Sequence, residues 1–204
     1  MGRLNKLSFI AVCCVVIATP IIRYKLKAQN YLETLSSGVI LEATQGLRGS
    51  VFENTKVLLV DYLPEGSTGV VLNVSIEEGV ERFKQLKLSS RGKARLNKLE
   101  NIPYKKEGLF WGGPMAQSHL FWLAYQPKTG AISMVGNKPA ITTNANSAVI
   151  ARFVGYAGWS ENQLEKEILK GDWRVFKAHQ QQISQWLLAN NSINKKSESE
   201  LSVE

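Results

Sequence analysis

The sequence predicts an α+β domain, a mixed and partly barrelled sheet flanked by helices, with an N-terminal membrane-anchoring helix in front of it. Three observations lead there. Short β-rich runs precede, separate and follow amphipathic stretches, without the strict βα alternation of a doubly wound sheet. Hydrophobic residues make up 44% of the 204 and charged residues 21%, which suits one real core and excludes a largely disordered chain. Residues 7–22 carry no charge at all.

That uncharged run, LSFIAVCCVVIATPII, begins at Leu7 and ends at Ile22. As a helix it reaches ~24 Å at 1.5 Å per residue, slightly short of a hydrocarbon core of ~30 Å. Lys6 and Arg23 bracket it, and their long stems can snorkel across the difference. Tyr24 stands where an interfacial aromatic belongs, and Pro20 falls in the last turn. An uncleaved anchor is the first reading and a cleaved signal peptide the second. The signal peptide lacks a small-x-small site, because Arg23, Tyr24, Lys25 and Leu26 follow the run. A buried core helix is disfavoured by the bases at both ends. Lys6 occupies the position where a myristoylation signal needs Ser or Thr. Cys13 and Cys14, the chain's two cysteines, read as apolar filler before palmitoylation sites, and a disulfide scaffold or cysteine-ligated metal is excluded. Lys and Arg number two before the run and three just after it, so the positive-inside rule leans toward a cytoplasmic domain.

The chain therefore divides into a basic N-terminus (1–6), the anchor (7–22), a polar tether (23–37), a folded domain (38–189) and a polar tail (190–204) rich in Ser, Asn, Lys and Glu. Net charge is +8, but it is local. Residues 1–30 hold five bases and no acid, and residues 82–98 hold seven and no acid, which leaves the remainder at −4. The second stretch, Arg82, Lys84, Lys87, Arg91, Lys93, Arg95 and Lys98, has Phe83 as its one aromatic and offers no stacking platform for single strands. It reads as a solvated face. Contact with anionic lipid headgroups comes second, and nucleic acid is a weaker third reading.

Within the tether, Tyr31, Leu32 and Leu35 allow a helix that Gly38 stops. Strands are expected over 38–43, 55–62 and 69–73, with Leu63-Pro64-Glu65-Gly66 as a turn. The unbroken apolar run of the third strand implies burial on both faces. A helix is expected over 77–88 and a solvated connection over 89–107. Leu109 to Trp111 leads into Gly112-Gly113-Pro114, strands follow at 119–125, 131–135 and 153–159, and a helix over 144–153 is capped by Asn144. Ser160 and Gln163 form a capping box for a helix with Leu164, Ile168 and Leu169 on its apolar face, closed by Gly171. A last helix, 176–188, places Phe176, Ile183, Trp186 and Leu187 on one side.

Recognisable catalytic chemistry is missing. His119 and His179 lie sixty residues apart, in no metal-ligand spacing. There is no nucleophile elbow, phosphate-binding loop or dinucleotide fingerprint. Glu165 and Glu167, two apart on a helix, point in different directions and read as a solvated face. An anion at the N-terminus of that helix would be repelled by Glu161 and Glu165.

Several motifs, in order, resemble the YqgE/AlgH family over roughly residues 38–176. They are Ser37 to Leu41 with Val51-Phe52, Glu65-Gly66-Ser67-Thr68-Gly69-Val70-Val71-Leu72-Asn73, Leu109 to Pro114 with its Gly112-Gly113-Pro114, and Gly155-Tyr156-Ala157-Gly158-Trp159 followed by Gln163-Leu164-Glu165 and Glu167-Ile168. The resemblance implies a compact α+β domain with a pseudo-barrel sheet, no established enzymatic activity, and usually a soluble cytoplasmic bacterial protein. One branch of the family is labelled a regulator of exopolysaccharide transcription. This chain departs at Tyr62 and Ala124, where the family commonly has His, at Asn162, where it has Gly, and at Gln45, where it has Pro.

The candidate binding and motif residues are thus Gly66, Gly69, Asn73, Gly112, Gly113, Pro114, Gly155, Tyr156, Gly158, Trp159, Gln163 and Glu165. Fold maintenance is the first reading for them, and a pocket around Gly112, Gly113, Tyr156 and Trp159 the second. No catalytic residue, metal or cofactor is expected. The expected function is a membrane-tethered interaction protein with a protein partner in a membrane complex. The alternatives are a nucleic-acid-binding regulator and an enzyme of unrecognised type using Asp61, Tyr62 or Glu165.

Overall fold

A computed structural model describes residues 26, 28–85, 90–101, 109–125, 129, 131–136 and 148–177. The expected anchor (7–22), most of the expected last helix, the tail, His179 and Lys87 lie outside the described residues. No helix among those described is long and apolar enough to cross a membrane.

The domain is α+β, an open, largely antiparallel sheet flanked by helices. Its elements run β1 (Val39–Ala43), a 3-10 turn (Gln45–Leu47), β2 (Lys56–Leu63), β3 (Gly66–Val71), α1 (Ile76–Lys84), α2 (Ser90–Glu100), β4 (Leu109–Trp111), β5 (Met115–Tyr125), β6 (Ile132–Val135), β7 (Ala148–Ser160), α3 (Gln163–Lys170) and β8 (Trp173–Lys177). The sheet order is β6-β5-β7-β3-β2-β1-β8, and β4 adds to β7 in parallel. β7 is long enough to serve two neighbours on one side. Its first half takes β4 at Arg152–Val154, and its last four residues take β3 from Ala157 to Ser160.

Barrel closure by strand pairing is not made among the described residues, since β6 and β8 end an open path. The sheet nevertheless curls. Its inner face holds Leu58, Val60, Val70, Leu72, Leu123, Ala151 and Phe153, with Ile40, Ile132 and Met134 against them. The other face holds the larger core, with Val57, Leu59 and Val71 from the same strands packed under Trp111, Trp159, Trp173 and the helices. The unbroken apolar runs of β2 and β3 are explained by this arrangement. Successive residues point to opposite faces, and both faces are cores. A chain of aromatic contacts crosses the larger core: Phe83–Trp111 at 5.9 Å, Trp111–Phe52 at 6.3 Å, Phe52–Trp173 at 5.6 Å and Trp173–Trp159 at 5.9 Å between ring centres.

Four expectations are corrected. The stretch 89–107 is not only a connection, because α2 forms within it and buries Leu99 completely. Its apolar stripe is a single buried leucine and a half-buried Leu96 among charges, too thin to read as amphipathic. The expected helix over 144–153 is strand wherever it is described, since 148–153 begin β7, whose Val, Ile and Phe residues suit a buried strand. Phe176 lies in β8, paired with Ile40, and not in a helix. The helix after β7 starts at Gln163, because β7 continues through Ser160 and Asn162 turns the chain at φ +57°. A left-handed residue there gives a physical reason for the Gly that the family resemblance expects at that position.

The helix expected within the tether forms. Residues 28–34 are helical. Ala28 and Leu35 are buried, and Tyr31 and Leu32 pack against the larger core.

Candidate functional site

The motif glycines meet where β4, β5 and β7 cross. Gly112 donates its N–H to the Val154 carbonyl at 2.9 Å and accepts from Val71 N–H at 2.9 Å. Gly113 has φ +145° and Gly155 φ +73°, regions that residues with a Cβ avoid. Space is equally restrictive. A Cβ on Gly113 would stand 2.5 Å from the Tyr156 carbonyl oxygen, and one on Gly155 2.6 Å from that of Met115. Buried Gln117 ties the crossing together. Its amide donates to the Gly113 carbonyl, and its Oε1 accepts the Trp111 indole N–H at 3.3 Å. Backbone packs directly against Gly112, Gly113 and Gly155, which gives these glycines a role in maintaining the fold. Gln117 was not legible in the sequence, since a glutamine in a strand carries no signal.

Gly66 and Gly69 act alike on β3. Gly66 completes the β2–β3 hairpin at φ +147° beside Ser160. A Cβ on Gly69 would sit 2.6 Å from the Leu58 carbonyl. Asn73 accepts the Lys56 backbone N–H at 2.8 Å and donates to the Asn54 carbonyl at 2.9 Å, so it secures the chain after β3. Pro114 follows the crossing half-buried, and Gly158 is exposed.

The second cluster is a corner between β7, α3 and β8. Glu167 Oε2 accepts two indole N–H groups, from Trp159 at 2.9 Å and from Trp173 at 2.8 Å. Its Oε1 accepts the Gln163 amide at 2.9 Å, and Gln163 Oε1 in turn accepts the Ser160 N–H at 3.1 Å. One face of the capping box thus forms, although the helix starts later. Glu165 points elsewhere, as two-residue spacing requires. It accepts the Tyr62 hydroxyl at 2.7 Å. Burial pushes the Tyr62 pKa up to about 12, helped by the bond to Glu165 and that carboxylate's charge. The hydroxyl therefore stays protonated and donates. Asp61 faces the other way, exposed, and accepts from Thr68 Oγ1 at 3.0 Å. Neither Glu165 nor Glu167 belongs to a merely solvated helix face: both are half-buried and engaged. The signal for Glu167 was present, as the second acid of the motif, but its two indole partners lie on the strands before and after α3, which meet it only once the chain folds back.

The basic stretch splits in two. Arg82 is tied to Glu78 at 2.6 Å and donates to the backbone carbonyls of Val51 and Glu53. Lys84 bridges Glu81 at 3.1 Å and Glu100 at 3.3 Å, and these acids raise its pKa, the hydrogen bond to Glu81 first. Arg91, Lys93 and Lys98 are exposed on α2, where Arg95 also lies.

Two hollows stand out. A cleft of about 390 Å³ between Gly49–Asn54 and α1 is lined by Glu53, Glu78, Glu81 and Arg82. Arg82 is already bonded within it. A more apolar gap of about 220 Å³ is lined by Ala28, Tyr31, Thr44, Ile168, Gly171, Trp173 and Arg174. Among the described residues, no group of three His, Cys, Asp or Glu is placed to hold a metal ion. His119 is exposed on β5, its ring 6.5 Å from Phe121.

Comparison with known proteins agrees with the motifs. A UPF0301 protein of Chlorobaculum tepidum is 30% identical over 174 residues, covering 76% of this chain and 81% of its own length. One from Bacteroides thetaiotaomicron is 29% identical over 170 residues, covering 76% of each. Among solved structures, the AlgH protein of Pseudomonas aeruginosa matches 72% of this chain and 79% of its own at 21% identity, with a TM-score of 0.44. A Corynebacterium diphtheriae protein matches 72% and 78% at 19% identity, with a TM-score of 0.48. The sequence model of the AlgH-like family matches residues 40–195, and the chain belongs to that family.

Proposed function

We propose that this AlgH-like chain is a non-catalytic interaction module tethered to a membrane, an accessory subunit of a membrane complex. One observation carries the reading. The two carboxylates of its last family motif are engaged in holding the fold, Glu165 by Tyr62 and Glu167 by two indoles and Gln163. A tyrosine held protonated to about pH 12 serves as a donor and is a poor base at neutral pH. The tether rests on the sequence, where sixteen uncharged residues lie between Lys6 and Arg23.

Purification from native membranes in mild detergent tests this. The module co-purifies with membrane proteins in fixed ratio; recovery of the chain alone, or turnover of a substrate that Tyr62→Phe abolishes, contradicts it. The exposed cations of α2, Arg91, Lys93 and Lys98, favour one other reading, a regulator bound to nucleic acid. That reading requires duplex binding that weakens steeply with salt and disappears on charge reversal of these three residues.

A further inference from the structure

We infer that the edge of the domain formed by the end of α3 and by β8, the last strand of the sheet, is a membrane-docking surface for anionic lipid, held against the bilayer by a docked linker. The inference rests on the tether proposed above. It assigns lipid contact to residues outside the basic stretch 82–98.

The linker fixes the geometry. If residues 7–22 lie in the bilayer, five residues and six Cα–Cα steps separate Ile22 from Ala28. Fully extended they span no more than ~20 Å. Ala28 is already buried against the domain, in the gap it shares with Ile168, Gly171, Trp173 and Arg174. The end of α3 and the start of β8 therefore lie within that reach of the headgroups. A flexible tether from residue 23 to residue 37 would have left every face of the domain free to turn toward lipid. A helix packed on the core from Ala28 onward does not.

The chemistry of this face fits a bilayer with anionic headgroups. Lys166 and Lys177 are exposed, and the side chains of Lys170 and Arg174 are 73% and 54% exposed. The neighbouring acids face inward or are occupied. Glu165 and Glu167 hold Tyr62 and the indoles, buried Asp172 holds Lys170, and Glu42 lies 3.8 Å from Arg174 and 3.7 Å from Lys56. Among the described residues, Glu161 before α3 and Glu33 on the linker helix are exposed acids. Apolar side chains accompany the cations. Of the five large hydrophobic residues most exposed among those described, Leu26, Leu169 and Phe176 belong to the linker, α3 and β8. Cations mixed with exposed apolar groups are what a headgroup layer accepts.

The test uses the full chain with Cys13→Ser and Cys14→Ser, reconstituted in phosphatidylcholine vesicles with and without phosphatidylglycerol. A single cysteine at Arg174→Cys, and separately at Lys93→Cys, carries an environment-sensitive fluorophore. The expected result is that the probe at 174 loses most of its quenching by aqueous iodide in the anionic vesicles. The probe at 93 keeps its quenching, and Lys166→Glu with Lys177→Glu restores quenching at 174. Equal accessibility of both probes in chain that stays with the vesicles overturns the docking and leaves the tether standing. Shielding at 93 in place of 174 overturns it in favour of α2. Release of the chain by sodium carbonate overturns the tether, and the docking with it.

Discussion

Two positions on β7 hold the domain in different ways. At Gly155, main chain packs directly on main chain, with no room for a side chain and a backbone conformation that few residues adopt. At Trp159, four residues on, a large side chain anchors to a carboxylate that also holds Trp173 and Gln163. The first arrangement is steric and tolerates nothing. The second is a hydrogen-bonded network whose parts are separable. Both belong to the motif that marks the family, so a motif of this kind records two unrelated physical demands.

The largest expected effect lies at the glycine crossing. Gly113→Ala places a Cβ into the Tyr156 backbone at a φ of +145°, and we expect a loss of more than ~4 kcal/mol, seen as insoluble or unfolded protein by circular dichroism. Gly49→Ala is the control: φ is +75°, but nothing lies within 4 Å of the new Cβ. Its cost is about 1 kcal/mol in urea unfolding. Similar losses for the two would show that φ, not space, governs the crossing.

The indole corner comes next. Glu167→Ala leaves two part-buried indole N–H groups without their acceptor, and we expect a loss of about 3 kcal/mol, since each unsatisfied donor costs ~1–3. A loss under ~1 kcal/mol would mean that water replaces the carboxylate freely and that the corner is not a network.

The smallest effect is a pH dependence. Tyr62 titrates near 12 in the folded chain against about 10 unfolded, so the unfolded state loses this proton first. Its contribution to stability is complete below pH 10 and is lost as pH rises from 10 to 12. Denaturant midpoints across that window should fall more steeply for the natural chain than for Tyr62→Phe. Parallel curves would remove the Tyr62–Glu165 bond from the account.

Much of this was legible in the sequence. The strands β1, β2 and β6, the turn at Pro64 and the Gly171 stop carry local signals, because apolar runs, Pro and Gly act within a few residues. The family resemblance was legible in the order of its motifs. What escaped was set by distant partners. Ala148 to Phe153 form strand because β5 and β4 flank them, although their local pattern also suits a helix. α2 is helical around one buried leucine. Glu167 looked solvated because its two tryptophans lie six and eight residues away along a chain that must first fold back. Gln117 gave no sign at all, since its partners, Trp111 and Gly113, converge on it only through the β4–β5 turn.

One fractionation tests the central claim, a domain that works by contact while fixed to a membrane by its own N-terminus. Native membranes are washed with sodium carbonate, and the intact mass of the chain is read in pellet and supernatant. The account predicts a chain that still carries residues 7–22, in the pellet. A chain in the supernatant, or one shortened to begin between residues 23 and 37, would contradict it.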